Sequence, residues 1–431
     1  MKVLMFGWEF PPHIAGGLGT ACEGIVKGLA HNGVETLFVM PSASGDEDQS
    51  CATIINASDV AVQNVSDTVE EFLDKVKFIH VDSNIVPYVD PDEYFEAIEK
   101  MKREQVHETT VGFGQKFKFS GKYGANLLEE VSRYAQVGGT LAMEHAGEFD
   151  VIHAHDWLTY LAGIAAKELS GKPLVIHVHA TSFDRGSADN IDTRVFEIEQ
   201  RGMQEADKVI TVSDLTRNIV ITKYGIDPAK VVTVHNAVDF SGREKLSVQR
   251  GVHDKVITFL GRITFQKGPE YFIEAAAKVL KVCPNTRFVM AGSGDMMNRC
   301  IRYVAKLGIA DRFYFTGFLR GDDVQKMFAL SDVYVMPSVS EPFGISPLEA
   351  MKSDVPTIIS KQSGVAEVLK YAVKVDFWDV NALADAMYGL LNYPALSHLA
   401  TERGREEVDN LKWDSAAVKV RAVYESAVNG K

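Results

Sequence analysis

The sequence predicts an α/β fold made of two successive doubly wound units, each a parallel sheet covered by helices. Its 431 residues exceed what one hydrophobic core usually holds. Short, β-rich apolar runs alternate with longer amphipathic runs, the pattern of strands connected by helices. A polar, poorly periodic stretch at 239–255 separates two such series. We therefore expect a first domain at 1–242 and a second at 250–411.

Each unit has its own set of predicted elements. The first has apolar strand patterns at 3–8, 35–40, 151–155, 173–179, 208–212 and 231–236, and the second at 256–262, 287–292, 313–317, 333–337 and 356–360. Amphipathic runs such as 268–282 predict helices between the strands. The last apolar run, 415–428, predicts a helix within 412–431 that packs back on the first domain. Clustered charges, aromatics and glycines at 84–125 indicate an insertion.

Composition and charge exclude several classes of protein. With 46% hydrophobic and 24% charged residues, the chain has an ordinary globular composition. Its net charge of −13 disfavours nucleic acid as a partner, because DNA-binding proteins usually carry a basic face. No run approaches the roughly 18 apolar residues of a membrane span. The start, MKVLMFGWEFPP, fits a first strand better than a signal peptide. Four cysteines without paired spacing indicate reduced thiols, so we expect a cytoplasmic protein.

Ligands of open α/β sheets bind beyond the carboxyl ends of the strands. With two such sheets, we expect the site in a cleft between them. Gly16, Gly17 and Gly19 follow the first strand, and a helix is expected from near Thr20. The glycines and the helix amides suit a phosphate or a sugar, but a simple tight turn explains them equally well. The spacing is not the dinucleotide pattern G-x-G-x-x-G.

Four histidines stand near the ends of two predicted strands, in VIHAHDW and VIHVH. Alternation along a strand places His153 with His155, and His177 with His179, on one face. We expect His155, His179 and the adjacent Asp156 to point toward the cleft, and His153 and His177 to be buried and hydrogen-bonded. Zinc is a weak alternative, because no cysteine or carboxylate stands at ligand spacing, so no metal is expected.

Two further segments follow strands of the second unit. GRITFQKG presents Arg262 and Lys267 before a helix, which fits a metal-free clamp for a diphosphate as well as an ordinary solvated surface. Gly294, in MAGSGDM, fits close approach of the backbone to a ligand.

SEPFGISPLEAM places Glu341 in a loop and Glu349 on the following helix. The amides of Phe343, Gly344 and Ile345 suit sugar hydroxyls or an anion, and Glu349 suits a ribose diol. Capping of the helix by one acidic residue, with a second one exposed, would also explain the pair.

Taken together, these segments resemble the retaining GT-B glycosyltransferases, especially family four and the glycogen and starch synthases. EPFGISPLE fits the Glu-x7-Glu signature, GRITFQKG fits the Arg-x4-Lys signature, and HAHDW with GGLG is similar to the glycogen synthases. The resemblance implies two Rossmann-like domains facing across a cleft. It also implies transfer of a hexose, with glucose expected, from a nucleotide-sugar donor to a glucan acceptor, without a cofactor.

The resemblance also implies roles for individual residues. Arg262 and Lys267 would neutralise the donor diphosphate. Glu341 would lie near the donor sugar and His179 beside it, which completes the expected catalytic set. The residues expected to bind the donor are Gly17, Asp156, Gly294, Phe343, Gly344, Ile345 and Glu349, the last through the ribose. Bacterial glycogen synthases carry lysine at the position of Ile14, so the preferred nucleotide stays open.

Other functions remain compatible with the sequence. A family-four transferase could act on a cell-surface polysaccharide, a lipid carrier or a small sugar. A nucleotide-sugar epimerase shares the architecture, and a binding protein without turnover would share the cations and the carboxylate.

Overall fold

The computed structural model describes residues 1–13, 17–63, 114–124, 126–186, 191–239, 248, 251 and 253–430. Two compact units are present, one of Met1–Ala237 with Trp413–Lys431 and one of Val238–Lys412. Most of the insertion expected at 84–125, and Ile14 and Gly16, lie outside the described residues.

The first unit contains a parallel sheet of seven strands in the order β3-β2-β1-β4-β5-β6-β7. The strands are β1 (Lys2–Phe6), β2 (Glu35–Met40), β3 (Thr53–Asn56), β4 (Val151–His155), β5 (Leu174–Val178), β6 (Lys208–Thr211) and β7 (Val231–Thr233). The central strands β1, β4 and β5 are almost wholly buried, as expected for a parallel sheet covered on both faces. Only β3 was not expected from the sequence.

Among the described residues of this unit, the helices that connect or cover the strands are α1 (Gly17–His31), α2 (Leu127–Glu144), α3 (Trp157–Ser170), α4 (Ser182–Arg185), α5 (Thr193–Glu205) and α6 (Asp214–Tyr224). In α1, the buried residues Cys22, Ile25, Val26 and Leu29 recur at helical spacing and form the face that packs on the sheet.

The second unit contains a parallel sheet of six strands in the order β10-β9-β8-β11-β12-β13. The strands are β8 (Lys255–Leu260), β9 (Thr286–Ala291), β10 (Phe313–Gly317), β11 (Val333–Met336), β12 (Thr357–Ser360) and β13 (Val373–Val375). The helices are α7 (Pro269–Val282), α8 (Met297–Lys306), α9 (Asp322–Leu330), α10 (Ser346–Lys352), α11 (Val365–Val368), α12 (Val380–Asn392) and α13 (Pro394–Asp409). The edge strand β13 was not expected.

The last helix, α14 (Trp413–Asn429), belongs to the first unit. It packs along α1, where Gly24 makes room for the Trp413 ring. A Cβ on Gly24 would lie 2.2 Å from that ring, so a larger residue would displace the tryptophan. No helix in the described part of the chain is long and apolar enough to span a membrane.

Both sheets reverse their strand order at one point, between β1 and β4 in the first unit and between β8 and β11 in the second. At such a point the loops at the carboxyl ends diverge and leave a crevice. This strand order places the loops after β8 and β11 beside each other, and likewise those after β1 and β4.

Candidate active site

In the second unit, the loop that follows β8 carries Arg262 and Lys267. It closes with a 3-10 turn, Phe265–Lys267, directly before α7. Gly268 has φ +64°, and a Cβ there would lie 2.1 Å from the carbonyl oxygen of Pro337. Only glycine fits this position, because any side chain would collide with the loop that follows β11. The two loops are therefore in direct backbone contact.

Glu341 lies in the loop after β11 and is only 7% exposed. Its Oε2 forms an ion pair with Lys267 Nζ and accepts a hydrogen bond from Ser338 Oγ at 3.2 Å. The structure thus brings together two of the expected catalytic residues, although they stand 74 positions apart. Ser338, which is fully buried, was not singled out from the sequence, although it stands three positions before Glu341.

The backbone around Glu341 is anchored to the loop that follows β12. Glu341 N donates to Gln362 O at 3.0 Å, and Gly364 N donates to Glu341 O at 2.9 Å. Val365 N donates to Phe343 O at 2.8 Å. These three bonds attach the carboxylate-bearing loop to the segment that follows β12, so the position of Glu341 does not depend on its side-chain partners alone.

Arg262 has a different partner from Lys267. Its Nη2 donates to Oε1 of Gln266 at 3.0 Å. Gln266 is 6% exposed, and its carbonyl oxygen accepts from Val339 N at 2.8 Å. This glutamine was not expected to matter from the sequence. In the sequence, only its position between Arg262 and Lys267 could have indicated its role.

The segment after Glu341 contains the other residues expected to bind the donor. Gly344 has φ +102°, and a Cβ on it would lie 3.1 Å from Glu341 Cγ. Phe343 is buried, whereas Gly344 and Ile345 are half-buried and precede α10. Glu349 is half-buried in the first turn of that helix.

Tyr334, on β11, is a buried tyrosine near the two acidic residues of this segment. Burial raises the pKa of its hydroxyl, and the charges of Glu341 and Glu349 raise it further. Its hydroxyl donates to Leu260 O at 3.3 Å. Both carboxylates therefore act on one tyrosine, which the sequence analysis did not identify.

Gly294 has a structural explanation of its own. A Cβ at this position would lie 2.4 Å from the carbonyl oxygen of Ile263, and Ile263 N donates to Ser293 O at 2.8 Å. The glycine is therefore required where the loops after β8 and β9 pack together. A contact with the donor stays a prediction.

In the first unit, Asp156 and His179 are joined at the ends of β4 and β5. Asp156 Oδ1 accepts from His179 N at 2.7 Å and from Ala180 N at 3.2 Å. Burial raises the pKa of Asp156 to about 6, while Arg185 and these two bonds oppose the shift. Asp156 has φ +58°, a strained conformation for a residue other than glycine. Such strain is common where a side chain is held in place for function.

His179 belongs to a cluster of four imidazoles on one face of the sheet, together with His153, His155 and His177. Stacked rings connect it, with centroids 4.2 Å apart for His153 and His155 and 4.3 Å apart for His177 and His179. His155 Nδ1 and His179 Nε2 share a hydrogen bond of 2.9 Å, and His153 Nδ1 pairs with the Tyr424 hydroxyl of α14 at 2.5 Å. Burial lowers the pKa of His153 to about 3 and lowers those of the other three.

The expectation that His153 and His177 are both buried and hydrogen-bonded is half correct. Both are buried, and His153 is hydrogen-bonded. For His177 the expectation is wrong, because neither ring nitrogen has a partner among the described residues. Its ring lies 5.3, 5.2 and 4.3 Å from the rings of His153, His155 and His179, so it is stacked rather than hydrogen-bonded.

Three of these histidines also meet a distance criterion for a metal. The ligand atoms of His153, His155 and His177 lie within 4.8 Å of one another, and imidazole is a usual ligand of Zn²⁺. However, the rings of His153 and His177 are parallel within 6°. An imidazole binds a metal through a lone pair in its ring plane, so stacked rings do not converge on one ion. The arrangement favours packing over coordination.

The glycine segment after β1 differs from the expectation. Helix α1 starts at Gly17 rather than near Thr20, and Gly17 is exposed. The amide of Gly19 donates to Oε1 of the buried Glu9 at 3.1 Å. A carboxylate of the chain itself therefore occupies part of the helix N-terminus, which sequence reasoning had left open to a ligand. In the sequence, Glu9 is an acidic residue inside the apolar stretch GWEFPP, and this placement could have indicated its contact with the helix.

Two family models match the chain. The model of the starch synthase catalytic domain matches residues 2–233, and the model of the glycosyl transferases group 1 matches residues 243–407. The first covers more than half of the chain.

The chain belongs to the starch synthase catalytic domain family.

This starch synthase-type glycosyltransferase also resembles individual proteins along its whole length. An uncharacterised glycosyltransferase of Methanocaldococcus jannaschii is 28% identical over 446 residues, covering 99% of each chain. A glycogen synthase of Mycobacterium tuberculosis is 24% identical over 438 residues, covering 100% of this chain and 96% of the relative.

Solved structures show the fold. Sucrose-phosphate synthase from Thermosynechococcus elongatus matches with a TM-score of 0.71, at 16% identity and complete coverage of both chains. The catalytic domain of starch synthase IV from Arabidopsis thaliana, bound to ADP and acarbose, matches with a TM-score of 0.65, at 16% identity and 99% coverage of both. This glycosyltransferase therefore has the GT-B fold.

Proposed function

We propose that this starch synthase-type glycosyltransferase moves a hexose, glucose, from a nucleotide-sugar to a glucan with retention of the anomeric configuration. The observation that carries the proposal is the group around Glu341, in which Lys267 and Ser338 both hold Oε2. Its other oxygen, Oε1, would be the one that meets the sugar. The full-length similarity to a glycogen synthase supports glucose and a glucan.

The second unit would bind the donor. Arg262 and Lys267 lie on one loop at the carboxyl end of β8 and would hold the diphosphate. Glu349, on α10, would accept hydrogen bonds from the ribose. The amides of Gly344 and Ile345 would hold hydroxyls of the sugar, since both residues are half-buried beside Glu341. No metal or cofactor takes part in this scheme.

The chemical step would exchange one bond at the anomeric carbon for another. The bond from that carbon to the leaving phosphate oxygen breaks, and the acceptor hydroxyl forms the new bond on the same face. The acceptor's proton passes to the leaving phosphate. Negative charge develops on the phosphate, where one positioned donor is worth about 3–4 kcal/mol. Arg262 and Lys267 would supply that stabilisation, and Glu341 would stabilise positive charge on the sugar.

The first unit would contribute His179 and Asp156. The neutral imidazole of His179 can donate or accept one hydrogen bond with a sugar hydroxyl. Asp156 holds the backbone of His179 through its carboxylate, so it would act by fixing that residue. Gly17, exposed at the start of α1, would allow a carbohydrate to approach the backbone.

The test is an assay with ADP-, UDP- and GDP-glucose, each with glycogen and with small sugar acceptors. We expect one donor to extend glycogen with α-linked glucose, as followed by NMR of the product, and activity to persist in EDTA. Transfer only to a small acceptor would replace the glucan in the proposal. Conversion of the donor without any acceptor would indicate an epimerase, and loss of activity in EDTA with rescue by magnesium would contradict the metal-free step.

A further inference from the structure

Gln266 is buried between the two cations of the loop after β8. It is 6% exposed, whereas its neighbour Phe265 is 52% exposed. A buried amide side chain costs free energy unless its polar atoms are hydrogen-bonded. The side chain of Gln266 is therefore held in place by its protein partners rather than by solvent.

The partners of Gln266 connect two functional loops. Its Oε1 accepts from Arg262 Nη2 at 3.0 Å, and its carbonyl oxygen accepts from Val339 N at 2.8 Å. Val339 directly follows Ser338, the residue that donates to Glu341. One residue thus fixes the guanidinium on one loop and the backbone that leads to the carboxylate on the other.

The choice of an amide has a chemical consequence. An arginine side chain has much rotamer freedom, and a guanidinium that is already fixed loses less of it when it binds an anion. An amide oxygen orients the guanidinium by accepting a hydrogen bond, and it adds no negative charge to compete with a phosphate. Gln266 therefore sets the direction of the other N–H groups of the guanidinium without adding a charge of its own.

We propose that Gln266 is a positioning residue that orients Arg262 toward the diphosphate of the donor. The inference deepens the proposed function and rests on it. Gln266 acts through Arg262, so its loss weakens recognition of the diphosphate and leaves recognition of the nucleoside unchanged. The side-chain oxygen is what matters, and a residue of similar size without it cannot replace glutamine.

The experiment compares Gln266→Leu with Gln266→Glu in the full chain. Leucine keeps most of the volume but removes the acceptor, whereas glutamate keeps an oxygen at the same place. We expect Gln266→Leu to weaken inhibition by inorganic pyrophosphate, ADP and UDP about tenfold, with inhibition by adenosine and uridine unchanged. We expect Gln266→Glu to weaken that inhibition by only about threefold, because it retains the hydrogen bond to Arg262 but adds a negative charge that competes with the phosphate.

The outcomes separate the inference from the proposed function. If the wild type neither turns over a nucleotide-glucose nor binds pyrophosphate, the proposed function fails. If the wild type does both and Gln266→Leu matches it, the inference alone is overturned. Equal losses for diphosphates and nucleosides, with a lowered Tm, would mean that Gln266 serves only the fold, and would also overturn it.

Discussion

Lys267 and Glu341 form an ion pair at the carboxyl edge of the second sheet, with Ser338 donating to the same carboxylate oxygen. From the sequence, the lysine is expected to bind the diphosphate and the glutamate the sugar, as separate functions. Their contact means that the charge of each acts on the other before a donor arrives. A ligand anion that attracts Lys267 would therefore also change the environment of Glu341.

Replacing Lys267 by methionine should impair catalysis and stability together. The change removes the charge and keeps much of the side-chain volume. We expect kcat/KM for the nucleotide-sugar to fall about 10²–10³-fold, the usual effect of losing one donor to developing charge. Glu341 would lose its cation, at a cost of about 1–3 kcal/mol in the free energy of unfolding.

The matched control for this variant is Lys255→Met. Lys255 is half exposed and pairs with Asp332 at 3.3 Å in the same unit, and an exposed pair contributes at most about 1 kcal/mol. Urea unfolding and steady-state kinetics would measure both variants. Near-normal turnover of Lys267→Met in a folded protein would refute the role of the lysine.

Ser338→Ala should affect turnover more than donor binding. The variant removes one hydrogen bond from Glu341 Oε2 and leaves the ion pair with Lys267. A hydrogen bond of about 1 kcal/mol corresponds to roughly a tenfold or smaller fall in kcat, and the KM for the donor should change little. Ser331→Ala is the control, because Ser331 Oγ bonds to Thr258 and to a main-chain carbonyl in the same unit. Equal kinetic effects from both variants would argue against this role.

Gly344→Ala should displace Glu341. Both Gly344 (φ +102°) and Gly308 (φ +70°) have positive φ, but a Cβ on Gly308 meets nothing within 4 Å. Alanine at either position should cost about 1–3 kcal/mol through backbone strain. Only Gly344→Ala should also reduce kcat, because its Cβ would press on Glu341 Cγ. Comparable activity of the two alanine variants would show that the contact is harmless.

The histidine cluster predicts that stability falls in acid. The pKa of His153 is about 3 in the folded chain and near 6.5 when unfolded. Between these values the unfolded chain binds more protons, so the free energy of unfolding rises with pH and levels off above about 6.5. Each such histidine contributes up to about 1.4 kcal/mol per pH unit. Asp156, with a raised pKa of about 6, opposes this trend between roughly pH 4 and 6, but it is one group against four.

His177→Leu tests this prediction with little loss of hydrogen bonding, because His177 has no ring partner among the described residues. Urea unfolding between pH 5 and 8 should show a flatter dependence for this variant than for the wild type. His398→Leu is the control, since that ring is 78% exposed. An unchanged slope in His177→Leu would mean that this histidine does not titrate on unfolding.

The sequence predicted the architecture well but missed the weakest strands and the cross-loop partners. Apolar runs identified the buried central strands, whereas β3 and β13 are edge strands of four and three residues with several half-exposed positions. The predicted ends of the strands correctly placed Arg262, Lys267 and Glu341 in loops. Their pairing was not foreseeable, because the contact of Lys267 with Glu341 joins residues 74 positions apart, and no local pattern records it.

The helix α14 has a consequence for how the chain is made. Its covering face belongs to the first unit, yet residues 238–412 are synthesised before it. The ribosome therefore synthesises the whole second unit before Tyr424 can pack against the sheet surface around His153. During that interval the first unit of the nascent chain exposes apolar surface to water. A gene truncated after residue 237 would encode the first unit without α14, so this surface would stay uncovered.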